Sequence, residues 1–218
     1  MKLRLSIAPV LTIFLLALSA NAQKAGAPKR ADFFPLSVGN EWKYRHSEGM
    51  EFTFKVLSEE KQKDGGVRYL FEKLSGVTVH SWYSKTPDSV LDHRDQYPEQ
   101  EGLDIKYEPP KPLLKNPLVP GATWSWKGKT ITGTDGTESS KVIGPEMVEV
   151  PAGKFRAMKV VSQITDAQAP KTVTAWYVDG IGLVKSMTDA GAIKYGWELI
   201  DYNFKKKTNP KKSIRSRS

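Results

Sequence analysis

The side chains able to do chemistry are few in this sequence, and they are widely spaced. Three histidines, His46, His80 and His93, show no i, i+2 or i, i+4 pairing, so a zinc site would need them to converge from separate strands with acids such as Asp88 or Asp92. Acid pairs for glycoside cleavage can be drawn, Glu146 with Glu149 or Glu198 with Asp201, but Glu146 and Glu149 are interleaved with apolar residues as on a half-solvated strand, and spacing in the sequence does not set two carboxyls at a catalytic separation. A serine nucleophile of the hydrolase type would sit in a G-x-S-x-G elbow, and the chain has none. Cysteine is absent, which excludes disulfides, thiolate metal ligands and a cysteine nucleophile. The one glycine cluster resembling a phosphate loop is Asp179-Gly180-Ile181-Gly182. No catalytic residue, metal ligand set or cofactor is assigned from these residues.

What must position these side chains is strand. In "MEFTFKVL" Phe52, Phe54 and Val56 alternate with Thr53 and Lys55, the period of two that turns one face to a core. "GVRYLFEKL" and "VTVHSWY" follow turn signals at Asp64-Gly65-Gly66 and Gly76. The second half continues in the same way, with breaks at Asp135-Gly136 and Pro151-Ala152-Gly153, and "IKYGWELIDYNF" closes the body. No sustained helical stripe follows residue 22. The expectation is an all-β fold, an antiparallel sandwich or partly closed barrel.

The pattern occurs twice. Trp42-Lys43-Tyr44, a long hairpin about Gly65, "VTVHSWY", a short turn and a Val-Leu strand are echoed by Trp124-Ser125-Trp126, a long hairpin about Gly153, "TVTAWYV", a short turn and "GLVKS". Two similar β halves, 38–95 and 120–204, are therefore expected within one domain of residues 32–204. Val79, Ser81 and Tyr83 would share a face, as would Val173, Ala175 and Tyr177, with Trp82 and Trp176 on the opposite side. The segment 96–119 joins the halves and carries five prolines, which reads as a linker or as a loop over a cavity mouth. This register also decides the glycine cluster: "LVKSM" after Gly182 is strand, so Asp179-Gly180 is a hairpin turn and not a phosphate cradle.

Both ends are basic and the body is not. "MKLRLSIAPVLTIFLLALSANAQ" has Lys2 and Arg4, an apolar run, and Ala20-Asn21-Ala22, the form of a secretory signal cleaved near Ala22. Residues 23–31 then form a flexible linker. The net charge of +9 includes five basic groups in residues 1–30 and seven in 205–218, with no acid in either segment. Removing those twelve from the 33 basic residues leaves 21 against all 24 acids, so the body carries about −3. The tail with Lys205, Lys206, Lys207, Lys211, Lys212, Arg215 and Arg217 reads as disordered and solubilising. Its functional alternative is attraction to an anionic envelope surface. Nucleic acid is disfavoured, because the tail has no aromatic ring to stack a base and the leader directs the chain out of the cytoplasm.

"DFFPLSVGNEWKY", "VEVPAGKFRAMKV" and "AWYVDGIGLVKSM" resemble the recurrent motifs of a family of uncharacterised, exported bacterial proteins, many of them lipoproteins. The resemblance spans roughly residues 33 to 204 and implies a β domain in the cell envelope, periplasmic or secreted, with no catalytic residues to carry over. The lipidation cysteine of many such relatives is missing here.

Aromatic side chains give the lead for binding. Most of the tryptophans and tyrosines belong to a core. Trp82, Trp124, Trp126 and Trp176 stand in "SWY", "TWSWKG" and "AWY", beside small residues, and are the candidates to line an apolar cavity or a sugar-stacking groove. The favoured function is non-enzymatic binding of a small apolar molecule or glycan in the envelope. A structural or assembly role through sheet edges or the basic tail is the alternative, and a hydrolase ranks below both.

Overall fold

A computed structural model describes residues 30–166 and 170–204. The signal peptide expected over residues 1–22, most of the linker expected over 23–31 and the basic tail of 205–218 lie outside the described residues. Within them the chain is all β, with twelve strands and no helix. In order these are β1 (Glu41–His46), β2 (Glu51–Lys61), β3 (Val67–Leu74), β4 (Thr78–Lys85), β5 (Ser89–Gln96), β6 (Asp104–Lys115), β7 (Thr123–Lys129), β8 (Asp135–Val150), β9 (Gly153–Thr165), β10 (Lys171–Val178), β11 (Gly182–Asp189) and β12 (Lys194–Asn203).

All pairings are antiparallel, and the strands form one sheet in the order β6-β5-β4-β3-β2-β1-β12-β11-β10-β9-β8-β7. It is a single sheet rolled into a nearly closed barrel, so the barrel alternative holds and the sandwich does not. Two six-stranded meanders, β1 to β6 and β7 to β12, are joined by the β1–β12 ladder. Two details recur between them. The register slips between Trp82 and Tyr83 against β5, and between Trp176 and Tyr177 against β11. It slips again at Val56/Ser58 in β2 and at Val142/Gly144 in β8.

The free edges β6 and β7 face one another along a seam with no backbone ladder. Side chains close it: Trp126 Nε1 donates to the Pro109 carbonyl at 3.0 Å, Tyr107 meets Trp126 edge-on at 5.6 Å, and Lys111 pairs with Glu138 at 2.9 Å. This corrects the reading of 96–119 as a linker or covering loop, since residues 104–115 are a strand paired with β5 from Gln96↔Asp104 to Ser89↔Lys115. Pro109 and Pro110 fall in the register break of β6 between the pairs Arg94↔Lys106 and Asp92↔Lys111, where no ladder pair forms, and Pro112 sits in an edge strand, which needs ladder donors on one side only.

The inward face is apolar. Tyr44, Val56, Val90, Leu114, Val142, Val184 and Leu199 are almost wholly buried, and Phe33 and Leu36 of the N-terminal segment join the same core. That segment stoppers one end of the barrel. Asp179 Oδ1 accepts the Asp32 N–H at 2.6 Å, the Gly180 N–H donates to the Asp32 carbonyl at 2.7 Å, and Lys85 Nζ donates to the Phe34 carbonyl at 2.8 Å. The Asp179-Gly180 hairpin turn therefore works as an anchor for residues 31–36. Gly180 and Gly182 adopt φ of 75° and 95°, and a Cβ at Gly182 would stand 3.3 Å from Pro35.

Gly196 in β12 has no room for a side chain, because a Cβ would overlap the Ser186 carbonyl oxygen and the Met187 sulfur across the ladder. Gly196→Ala is expected to lower stability by ~1–3 kcal/mol through overpacking. Denaturant unfolding of the purified variant beside the parent checks this, with a shift of midpoint at constant slope as the signature.

Candidate functional site

Inward-facing residues of β1 to β4, with neighbours from β6, β10, β11 and β12, enclose a chamber of about 450 Å³. Phe34, Trp42 and Phe71 lie towards the stoppered end. Phe52, Phe54 and Trp197 form the flank, and His46, Met50 and Ser75 stand at the rim where β1, β2 and β3 meet their turns. The rings touch in series: Trp42–Phe71 5.8 Å, Phe54–Phe71 5.7 Å, Phe52–Phe54 5.3 Å and Phe52–Trp197 5.8 Å between centroids. Trp42 Nε1 and the Tyr44 hydroxyl spend their donors on the Ile181 and Leu183 carbonyls, at 2.6 and 2.8 Å, which leaves apolar ring surface for the lumen. Trp197 Nε1 is buried and has no acceptor among the described residues.

One wall is charged. Lys73 on β3 lines the chamber, with its Nζ 5.7 Å from the centroid of the Tyr83 ring and 4.0 Å from Asp95 Oδ1. Both oxygens of Asp95 hold hydroxyl donors, Ser81 through a short bond and Tyr107 at 2.9 Å. Asp92 lies beside this group, 5% exposed, and takes the Arg94 N–H at 3.2 Å. Burial, reinforced by the nearby Asp95 and opposed by Lys73 and Lys111, pushes its carboxyl up to about 8, so it keeps its proton at neutral pH. Burial pulls Lys73 down, but Tyr83, Asp95 and Asp92 together hold it above the ordinary lysine value. Lys73 thus lines the chamber as a charged lysine, and Asp92, a neutral carboxylic acid, lies behind it outside the lining.

Beyond Asp95 a smaller, polar cavity of about 230 Å³ lies against the seam, lined by Tyr107, Lys111, Trp126, Glu138, Asp166 and Lys171 among others. Of the four tryptophans expected at a site, Trp126 alone borders either cavity, and there it lines the smaller one. Trp82 faces outward, stacked on the Arg94 guanidinium at 4.3 Å, whose fork Asp104 holds. Trp176 donates to Glu146 Oε1 at 2.5 Å between Lys159 and Lys185. Trp124 is half-buried, and its Nε1 has no acceptor among the described residues. Trp42 and Trp197 line the chamber instead. Parity with Phe52 and Phe54 across β1 and β2 was the signal that could have found Trp42.

The acid pairs do not converge. Glu146 serves Trp176 and Lys159, which hold it below the usual carboxylate range against some burial. Glu149 faces Lys154, and Glu198 is bound by Lys185 at 2.6 Å. No group of three or more His, Asp or Glu among the described residues could hold a metal ion. One pair was invisible in the sequence: Ser84 Oγ lies 2.7 Å from His93 Nε2. Its other ring nitrogen faces Arg68 at 3.4 Å, and burial followed by that guanidinium lowers the imidazole below its ordinary value. A catalytic dyad needs an acid there to hold the imidazolium, and a cation does the opposite.

No protein-family profile and no curated protein matches the chain. Among solved structures it is similar to a candidate lipoprotein from Parabacteroides distasonis, at 12% identity and TM-score 0.44, covering 80% of this chain and 100% of that one. A candidate exported protein with a YmcC-like fold from Bacteroides fragilis gives 13% identity and TM-score 0.44 over the same shares. The hypothetical lipoprotein YmcC from Escherichia coli gives 11% and 0.35, over 75% of this chain and 84% of that one.

Proposed function

We propose that this chain is exported to the bacterial envelope and there binds a small apolar molecule in the barrel lumen, without transforming it. The observation that carries the reading is the aromatic chamber of about 450 Å³, stoppered at one end by the chain's own N-terminal segment. Chambers of this size and lining are how proteins remove small molecules from water, with a few polar groups to fix orientation. The leader supports export. The smaller cavity favours a glycan as the second reading, because Trp126 stands in it with ion-paired carboxylates and lysines suited to hydroxyl groups. An assembly role through sheet edges has less support, since the two edges cover one another at the seam.

Titration of the purified mature chain with dodecanol, followed by tryptophan emission, tests the reading. Saturation at one molecule per chain is expected, with the emission change reduced in Trp197→Phe, which removes one of the two indoles lining the chamber, and kept in full in Trp82→Phe, whose indole lies outside it. A linear, non-saturating response in the parent chain would overturn it.

A further inference from the structure

The chamber's lining holds one lysine and not a single aspartate or glutamate. Lys73 stands between Phe71, deeper in the lumen, and Ser75 at the rim, so its charge lies on the mouth side of the aromatic floor. Its nearest carboxylate oxygen is 4.0 Å away, outside hydrogen-bond reach, and that carboxylate is already occupied by Ser81 and Tyr107. An ammonium has three donors, and the Tyr83 phenol answers at most one of them. The neighbouring Asp92 keeps its proton, so it neither neutralises Lys73 nor repels an incoming anion. A half-buried cation with free donors beside an apolar chamber is a counter-ion site.

Resting on the binding reading above, we infer that the ligand is an amphiphile with one anionic head, its carboxylate or equivalent meeting Lys73 near the mouth and its hydrocarbon tail lying over Phe71, Phe54 and Trp42. The head satisfies the lysine donors, and Ser75 and His46 stand at the same rim to complete its shell. The tail takes the apolar surface that Trp42 and Tyr44 leave free of donors.

The test compares dodecanoate, dodecanol and methyl dodecanoate on the mature chain, below their aggregation concentrations, by calorimetry and tryptophan emission. Dodecanoate is expected to bind about tenfold or more tighter than the other two, as befits a charge-assisted contact. Lys73→Met should abolish that preference, bringing dodecanoate and dodecanol within about twofold of one another, and Lys73→Arg should retain it. Equal affinity of all three ligands for the parent chain would overturn the inference and leave the apolar-binding reading standing. Failure of all three to bind would overturn both. If Lys73→Met does not fold, Lys73→Gln takes its place, and a preference for dodecanoate that survives this loss of charge would overturn the inference.

Discussion

Asp92→Asn is expected to stabilise the protein at pH 8 and to flatten its stability between pH 4 and 8. The folded protein holds the Asp92 proton up to about pH 8, whereas an unfolded chain gives it up in the ordinary aspartate range, near 4. Between those limits the folded state binds the extra proton, so stability falls as pH rises, by up to about 1.4 kcal/mol per pH unit for this one group. Below that window the group makes no demand, and above it the penalty is constant. Lys73, Asp95, Tyr83, Tyr107 and Lys111 face or surround the carboxyl, and all remain in the variant. An asparagine keeps the oxygen that accepts the Arg94 N–H. Urea unfolding of both proteins at pH 5, 6, 7 and 8 gives the difference curve. A gap that widens with pH is the expected outcome, and a gap that is flat or closes would show that Asp92 ionises normally.

Trp42→Ala is expected to remove about 3–5 kcal/mol of stability, the range for emptying a buried indole site. Trp42 is 4% exposed and touches Phe71 and Phe204, and its Nε1 ties β1 to the β10–β11 turn at Ile181. The stopper rests on the same turn, so the loss should extend to the clamp at Asp32 and Asp179. Trp42→Phe separates the parts. It keeps most of the ring and drops the hydrogen bond, with an expected loss of about 1 kcal/mol. Equal losses in the two variants would mean that the indole N–H, and not the buried volume, holds this end of the barrel.

Strand periodicity carried the fold. Val79, Ser81 and Tyr83 are buried together, as their alternation requires, and Trp82 between them faces out. The same periodicity could have exposed Lys73, which shares parity with buried Phe71 two residues before it, although a lysine in a half-solvated strand reads as outward. A small neighbour in the sequence does not tell which tryptophans border a cavity: Trp126 does, and Trp82, Trp124 and Trp176 do not. Ser125 lies on the opposite face from Trp124 and Trp126, so it says nothing of the space around either ring. The acid wall was beyond reach, because Asp92 and Asp95 differ in parity and face the same interior only through the register slip between Asp92 and Arg94. Nor does composition say that two meanders meet through β1 and β12, a pairing set by long-range closure.

The seam between β6 and β7 bears on what the lumen can hold. In a fully laddered barrel the number of strands and their stagger fix the girth, and no guest can alter it without breaking backbone bonds. Here the circumference is interrupted along one line, where an indole, a phenol and a lysine–glutamate pair do the joining. Girth is therefore set by side chains at that line, and this wall can yield to a bulkier guest while all eleven ladders stay whole.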